Sequence, residues 1–201
     1  GRRSDLRWTM FVRENQKRDL LTLLIMRHFT QFVFIGLVFA VPAEIWNQIF
    51  NLKTGLAGFV ATMVIYAVLL AFAYFFSLKI EKIKGMVFYF LFFGMVGLVV
   101  EWFILGNAGA AILTQFAMFS FWAGMPLTAK VFSEKNDVPA PLMSLKSSAK
   151  KFYYVYLGAI VLASIAFSAM GGFIVFVAGS IALYYFYFRY FRILAHTTEI
   201  R

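Results

Sequence analysis

Six long apolar runs, almost free of charge, constrain this chain more than any other feature of its sequence. Each run is long enough to cross about 30 Å of hydrocarbon as a helix that rises about 1.5 Å per residue. Strands of membrane barrels are about ten residues long and alternate apolar with polar residues, a pattern that these runs lack. The sequence therefore predicts an all-α polytopic membrane bundle of six transmembrane helices. Their approximate limits are Phe29–Phe50, Gly55–Ser77, Met86–Leu105, Ala108–Ala129, Phe152–Met170 and Gly172–Phe191.

The composition excludes several other classes of protein. Hydrophobic residues make up 62% of the chain and charged residues 14%, which leaves too little polar surface for a soluble domain of 201 residues. The chain has no cysteine, so disulfides, thiolate metal sites and thiol catalysis are excluded. Histidine and acidic residues form no cluster with metal-ligand spacing, and no phosphate-binding loop or nucleophile motif is present. We therefore predict no metal site, and the cofactor and any catalytic residue stay unknown.

Basic residues are sorted to one side of the predicted bundle. The chain has 19 lysines and arginines, and all except Lys53 lie before the first span, after the second, after the fourth or near the C-terminus. Short connections rich in lysine and arginine stay on the cytoplasmic side, so both termini are predicted to be cytoplasmic in a bacterial-type inner membrane. The net charge of +10 then requires no nucleic acid, although it suits anionic lipid headgroups at the cytoplasmic face.

The chain divides into a short N-terminal segment, one membrane domain and a short tail. Residues 1–27 mix apolar side chains with charges of both signs, which predicts an amphipathic helix at the cytoplasmic interface or an extension of the first span. Residues 28–193 form the six-helix domain, whose short outer connections predict three helical hairpins, and residues 194–201 form a cytoplasmic tail. The one long connection, 130–151, is predicted as a cytoplasmic loop that is mobile or binds a partner.

Two acidic residues fall inside predicted spans, Glu44 in the first and Glu101 in the third. Each lies about 22 Å above the inner boundary of its outward-running span, so both are expected at one level near the outer face. An ionisable group within a span is costly and normally faces the bundle interior, a partner or water. One hypothesis is that the two acids converge on an outward-opening cavity, repel each other and hold or pass a proton. The alternative is that each reaches water at the outer interface or caps a neighbouring helix.

Polar and aromatic residues near the two glutamates complete the candidate site for a ligand or a proton. Each acid is followed by a tryptophan and an asparagine, and the fourth span adds a glutamine and a tryptophan. The tryptophans serve either the site or an aromatic belt at the interface. The glutamine needs a hydrogen-bond partner on a neighbouring helix, such as one of the glutamates. These further candidates are Trp46, Asn47, Trp102, Asn107, Gln115 and Trp122.

Two short segments resemble known membrane proteins. The segment from Glu101 to Asn107, E-W-F-I-L-G-N, with Gln115 and Trp122 downstream, resembles a pattern of small, uncharacterised polytopic bacterial membrane proteins. That resemblance covers the third and fourth spans only and implies no activity. The segment V-P-A-E that ends at Glu44 is similar to the Pro-x-Glu element of the membrane-embedded lycopene cyclases, which implies an acid that acts on a polyene. The doubled acid of that family is missing here.

Three classes of function fit these observations. The first is a non-enzymatic binding, transport-related or complex-forming subunit that uses the two glutamates, and the lack of a catalytic signature favours it. The second is a membrane-embedded enzyme that acts on an isoprenoid, a carotenoid or another lipid, with a glutamate as general acid and aromatic rings around a carbocation. The third is a scaffold for other membrane subunits or pigments. The lipid bilayer is the expected partner in all three, joined by other subunits or a hydrophobic ligand.

Overall fold

The computed structural model describes residues 2–45, 48, 55–80, 83–106, 108–109, 111–134 and 140–198; the side chains of 2–21, 83, 164, 167–170 and 196–198 are not described. This part of the chain is helical apart from its short connections, which confirms the all-α prediction. The helices in chain order are α1 (Arg2–Glu44), α2 (Gly55–Ser77), α3 (Ile83–Phe103), α4 (Ile112–Ser133) and α5 (Ala140–Thr198).

Helix α5 contains two arms that fold back on each other. The Tyr156 hydroxyl donates a hydrogen bond to the Phe176 carbonyl oxygen at 3.0 Å, although the two residues are 20 positions apart. Along a straight helix that separation corresponds to about 30 Å, so the chain reverses its direction between them. We call residues 140–160 the first arm and residues 171–198 the second arm. Their contact forms the predicted third helical hairpin.

Four of the helical segments among the described residues are long and apolar enough to cross a membrane. Helix α4, the fourth predicted span, is outside this group, and the fifth predicted span, Phe152–Met170, includes residues whose side chains are not described. In α4 every residue from 120 to 133 is buried, so other helices rather than lipid cover this part of its surface. A helix in such a position can carry polar groups that a lipid-facing helix excludes. The fold is that of a multi-pass membrane protein, with the four segments Thr22–Glu44, Gly55–Ser77, Lys84–Phe103 and Gly171–Ala195.

Aromatic side chains fill the core around α4, which packs against α1, α3 and α5. Trp122 of α4 and Tyr66 of α2 are both completely buried, and Phe32 of α1 and Phe93 of α3 are also inaccessible to solvent. Large apolar side chains on the outside of the bundle remain exposed, as expected for a surface that faces lipid rather than water. The buried interior therefore surrounds α4, and its part between α1, α2, α3 and α4 positions the candidate site.

The segment 130–151 differs from the predicted cytoplasmic loop, because most of its described residues are helical. Helix α4 continues through Ser133 and α5 begins at Ala140, with Pro141 in the first turn, where a missing amide hydrogen is tolerated. The proline, serine and lysine content of this segment indicates a loop. Its apolar positions at helical spacing, of which Leu142 and Ala149 are buried against the bundle, indicate a helix instead.

The first span also begins earlier than predicted. Helix α1 runs without a break from Arg2 to Glu44, and its apolar part starts at Thr22 rather than at Phe29. The N-terminal segment is thus continuous with the first span, as the extension alternative expects. At the other end α1 stops at Glu44, where the backbone of Ile45 becomes π-helical.

Candidate functional site

Glu44 lies at the end of α1 and is buried, with 5% of its surface exposed. Its Oε1 accepts a hydrogen bond from the Tyr66 hydroxyl of α2, and its Oε2 accepts one from Gln48 Nε2 at 3.2 Å. Gln48 Nε2 also donates to Thr62 Oγ1 of α2 at 3.1 Å. Glu44 is therefore held by donors from its own chain segment and from the neighbouring helix.

The local backbone explains how Gln48 reaches this position. Pro42 has no amide hydrogen, so it leaves a gap in the hydrogen-bond ladder of α1 half a turn before Glu44. After Glu44 the backbone of Ile45 and Gln48 is π-helical. Wider turns of this kind occur mostly as single bulges, often at functional sites, where they redirect side chains. The irregular end of α1 thus brings an acid and an amide together.

Glu101 lies near the end of α3 and is buried to a similar degree, with 7% of its surface exposed. Its Oε1 accepts a hydrogen bond from the indole Nε1 of Trp122 at 2.8 Å. The indole of Trp122 lies against the backbone of α3 at Gly97, about one turn before Glu101. A Cβ atom at residue 97 would lie 2.0 Å from Trp122 Cγ, so only glycine leaves room for this close approach.

One network contains both glutamates. The rings of Tyr66 and Trp122 meet edge to face, with centroids 4.7 Å apart, and each ring donates a hydrogen bond to one acid. Glu44 and Glu101 also lie close enough to interact electrostatically. Helices α1, α2, α3 and α4 each supply one member of this four-residue network, which we call the glutamate network.

The other predicted site residues have different positions. Trp102 Nε1 donates to Gln115 Oε1 at 2.7 Å, which joins α3 to α4, and Gln115 Nε2 donates to the Ala108 carbonyl oxygen at 3.4 Å. These bonds make Gln115 an interhelical link, as a polar residue in a span is expected to be. Trp46, Asn47 and Asn107 lie outside the described residues.

Sequence reasoning missed three members of the site. Tyr66 and Thr62 are one helical turn apart in α2, and Gln48 is one turn after Glu44. That spacing was the available signal, because polar residues four positions apart lie on one face of a helix. Among the residues singled out from the sequence, Glu44, Glu101 and Trp122 are the three that the structure brings into the glutamate network.

Two small cavities lie among the described helices, and neither is lined by a glutamate. The larger, of about 80 Å³, lies between α3, α4 and the second arm of α5, and Ser120, Ser180 and Tyr184 contribute hydroxyl groups to its lining. The smaller, of about 20 Å³, lies between α1, α4 and both arms of α5 and is lined in part by Pro42 and Ala43. The described groups around the acids form a packed hydrogen-bond network, and the outward-opening cavity stays a prediction.

A second polar group, the inner cluster, lies where the end of α4 meets both arms of α5. Lys130 Nζ lies 2.9 Å from Glu134 Oε1, and Tyr190 donates to the other oxygen of the same carboxylate. Lys146 donates to the Glu134 backbone carbonyl. Burial lowers the pKa of Lys146, an effect that the charge of Glu134 opposes and that of Lys150 reinforces. The inner cluster fastens the predicted loop to the bundle.

The described residues contain no group of three or more histidine, aspartate or glutamate side chains that could hold a metal ion. Comparison with protein-family models, with curated proteins and with solved structures finds no match. The resemblance of the segment after Glu101 to small bacterial membrane proteins, and that of the segment before Glu44 to lycopene cyclases, therefore remain predictions.

Proposed function

We propose that this multi-pass membrane protein binds a proton at the pair Glu44 and Glu101 and uses it in a binding or transport function rather than in catalysis. The observation that carries the proposal is the position of both buried carboxyl groups in one network, on the two sides of the Tyr66–Trp122 contact. The positive-inside pattern supports an inner-membrane orientation with both termini cytoplasmic and with anionic lipid headgroups at the basic connections.

The chemistry of two buried acids favours a bound proton. Two ionised carboxylates in one network are unfavourable, because each loses its hydration and the two repel each other. One proton shared by the pair removes much of this cost. Among the described contacts, Glu44 accepts hydrogen bonds from a phenol and an amide, and Glu101 accepts one from an indole. The pair therefore suits two states that differ by one proton.

The location of the pair links its protonation to helix packing. Glu44 and Glu101 lie on α1 and α3, and the donors Tyr66 and Trp122 lie on α2 and α4. An added proton weakens the charge-assisted hydrogen bond that each donor makes with its carboxylate. All four helices then change their preferred contacts together, which is how one bound proton can affect binding or transport elsewhere in the bundle.

The two alternative functions make different demands on this site. An enzyme that acts on an isoprenoid or another lipid requires an acid at the wall of a substrate cavity, whereas both carboxyl groups here are buried and accept hydrogen bonds from side chains. A pure scaffold requires the glutamate network only as a fastening between helices. It therefore predicts a loss of stability, and no proton binding, when the acids are replaced.

The decisive experiment is infrared difference spectroscopy of the purified protein in lipid nanodiscs across a pH series. We expect a carboxyl signal that Glu44→Gln and Glu101→Gln each change and that the double variant loses. The matched control is Glu14→Gln, which removes an acid of the N-terminal segment and keeps the signal. A double variant with an unchanged signal, or a wild type without any buried carboxyl signal, would contradict the proposal.

A further inference from the structure

The larger cavity opens toward the outside of the bundle. Phe90 of α3 and Tyr184 of the second arm of α5 meet edge to face at this cavity, with ring centroids 5.0 Å apart. Phe116 of α4 and Ile181 of the second arm also line it, and 60% and 63% of their surfaces are exposed. The exposed apolar surface of a multi-pass membrane protein faces lipid, so the cavity opens sideways into the hydrocarbon of the bilayer.

The wall of this cavity is mostly apolar. Two of its three hydroxyl groups are engaged by the protein, because Tyr184 donates to the Ser120 carbonyl oxygen and Ser180 Oγ is 3.0 Å from the Tyr156 hydroxyl. Phenylalanine, valine and isoleucine side chains supply the rest of the lining. An apolar cavity stays dry and accepts an apolar guest instead. At about 80 Å³ the cavity is small beside pockets that enclose a whole small molecule, so it suits a segment of a longer hydrocarbon chain.

Two exposed basic residues lie on the helices that flank the cavity, both toward the same end of the bundle. Lys84 is in the first turn of α3, six positions before Phe90, and Arg192 follows Tyr184 by eight positions. These separations correspond to about 9 Å and 12 Å along the two helices. The second arm ends beside the end of α4, where Tyr190 donates to the Glu134 carboxylate, and α3 begins there because it forms a hairpin with α4. We call this end the basic end.

An exposed apolar strip connects the cavity with the basic end. On the second arm, Ile181, Tyr185, Phe188 and Arg192 follow one another at intervals of four, three and four residues, so they share one face of the helix. All four are exposed, and Ile181 lines the cavity. On α3 the exposed Val87 lies midway between the basic residue and the cavity. A hydrocarbon chain that enters the cavity can therefore follow apolar surface as far as the basic end.

The charges at the basic end favour an anion. The described acid nearest to it, Glu134, is already engaged by Lys130 and Tyr190 and so offers no further carboxylate oxygen to the exposed cations. The distance from the basic residues to the cavity, about 9–12 Å, falls within one leaflet, which is about 15 Å of hydrocarbon. The surface thus matches a molecule with a negative charge at the interface and a chain that runs into the same leaflet.

We infer that α3 and the second arm of α5 form a binding site for one anionic phospholipid, with the phosphate group at Lys84 and Arg192 and one acyl chain in the larger cavity. The lysine and arginine supply charge and hydrogen-bond donors to the phosphate oxygens, and Val87 and Phe188 contact the chain on its way to the cavity. The inference deepens the assignment of anionic headgroups in the proposed function and rests on that part of it. It does not depend on the bound proton.

The test is native mass spectrometry of the purified protein in detergent with equal amounts of phosphatidylglycerol and phosphatidylcholine that carry the same acyl chains. We expect the wild type to retain one phosphatidylglycerol in preference to phosphatidylcholine. The double variant Lys84→Gln with Arg192→Gln should weaken the retention of phosphatidylglycerol by about tenfold or more, because two charges are removed. Val177→Phe fills the cavity and should weaken the retention of both lipids.

The matched controls are the double variant Lys150→Gln with Lys151→Gln, which removes two exposed charges of the first arm, and Ile174→Phe at an exposed position of the second arm outside the cavity lining. Wild-type retention in both controls supports the site.

Equal retention of the two lipids by the wild type overturns the site, and so does an equal loss in variants and controls. Unchanged retention in Val177→Phe also overturns it, as does another protein subunit that copurifies and excludes the lipid. A wild type that binds phosphatidylglycerol as expected but lacks the infrared carboxyl signal contradicts the bound proton alone. The reverse result contradicts the lipid site alone.

Discussion

Tyr66 and Trp122 contact each other edge to face at an interplanar angle of 90°, and their polar ends donate to different glutamates. The two donors therefore cannot shift independently, because a movement of either ring changes the packing of the other. Aromatic contacts of this geometry contribute about 0.5–1.5 kcal/mol beyond the burial of their surface. This contact physically joins the sites of two acids that are carried by separate helices.

Replacement of Tyr66 by phenylalanine tests the hydrogen bond to Glu44. The variant keeps the ring against Trp122 but removes a buried donor from a carboxyl group, which we expect to cost about 1–3 kcal/mol. The measurement is thermal or denaturant unfolding in detergent. Tyr154→Phe removes an exposed hydroxyl and should leave stability within about 0.5 kcal/mol of wild type. Equal stability of both variants would show that the bond to Glu44 contributes nothing.

Replacement of Gly97 by alanine tests the close approach of Trp122 to α3. The new Cβ would overlap the Trp122 side chain, so the indole must move and its bond to Glu101 is disturbed. Overpacking of this kind costs about 1–3 kcal/mol. We expect a lower unfolding temperature together with a changed tryptophan fluorescence spectrum.

The control for that variant is Gly158→Ala in the first arm of α5, where no atom lies within 4 Å of the new Cβ. Alanine is a better helix former than glycine, so this control should be neutral or slightly stabilising. A Gly97→Ala protein as stable as the Gly158→Ala protein would refute the close packing of α3 against Trp122.

Replacement of Glu134 by glutamine tests the inner cluster. The change leaves the Lys130 ammonium, whose side chain is 10% exposed, without its carboxylate partner, and an uncompensated buried charge is unfavourable. We expect the free energy of unfolding to fall by about 1–3 kcal/mol. This loss is smaller than at a fully buried site, because water reaches the pair. Adding Lys130→Met to the variant should recover part of the loss, and a double-mutant cycle measures the coupling. Zero coupling energy would mean that the two side chains do not interact.

The pKa of Lys146 leads us to expect a specific pH dependence of the protein's stability. Its pKa is lowered in the folded protein, chiefly by burial. Between the lowered pKa and the ordinary value of about 10.4, the unfolded chain binds more protons than the folded one, so this lysine makes stability rise with pH. At lower pH both states are protonated, and the folded state carries the cost of the half-buried charge.

The measurement compares wild type with Lys146→Met across the alkaline range. We expect the stability of wild type relative to the variant to increase as the pH rises toward the ordinary pKa of a lysine side chain. Lys151→Met, at an exposed position of the same helix, is the control and should give a difference that does not depend on pH in this way. A constant difference between wild type and Lys146→Met would rule out the effect.

The candidate site could be predicted from the sequence only in part. Glu44 and Glu101 stand out because an acid in an apolar run is rare and costly, and that signal is local to each helix. Tyr66 did not stand out, because tyrosine is common in membrane helices, and its partner Glu44 is 22 positions away. Gln115 was a reasonable candidate partner for an acid, yet it accepts a hydrogen bond from Trp102, and Trp122 of the same helix donates to Glu101.

The sequence by itself determined the class of this protein: long apolar runs must form helices in a membrane because every backbone polar group there needs an internal partner. It also identified the two acids and predicted the orientation through the basic residues. Only the tertiary structure decided that α4 lies at the centre, that α5 folds back into two arms and that the acids share one network. The physical reason is that neighbours in a helical bundle are chosen by side-chain packing between distant segments, such as Gly97 against Trp122, which no local pattern records.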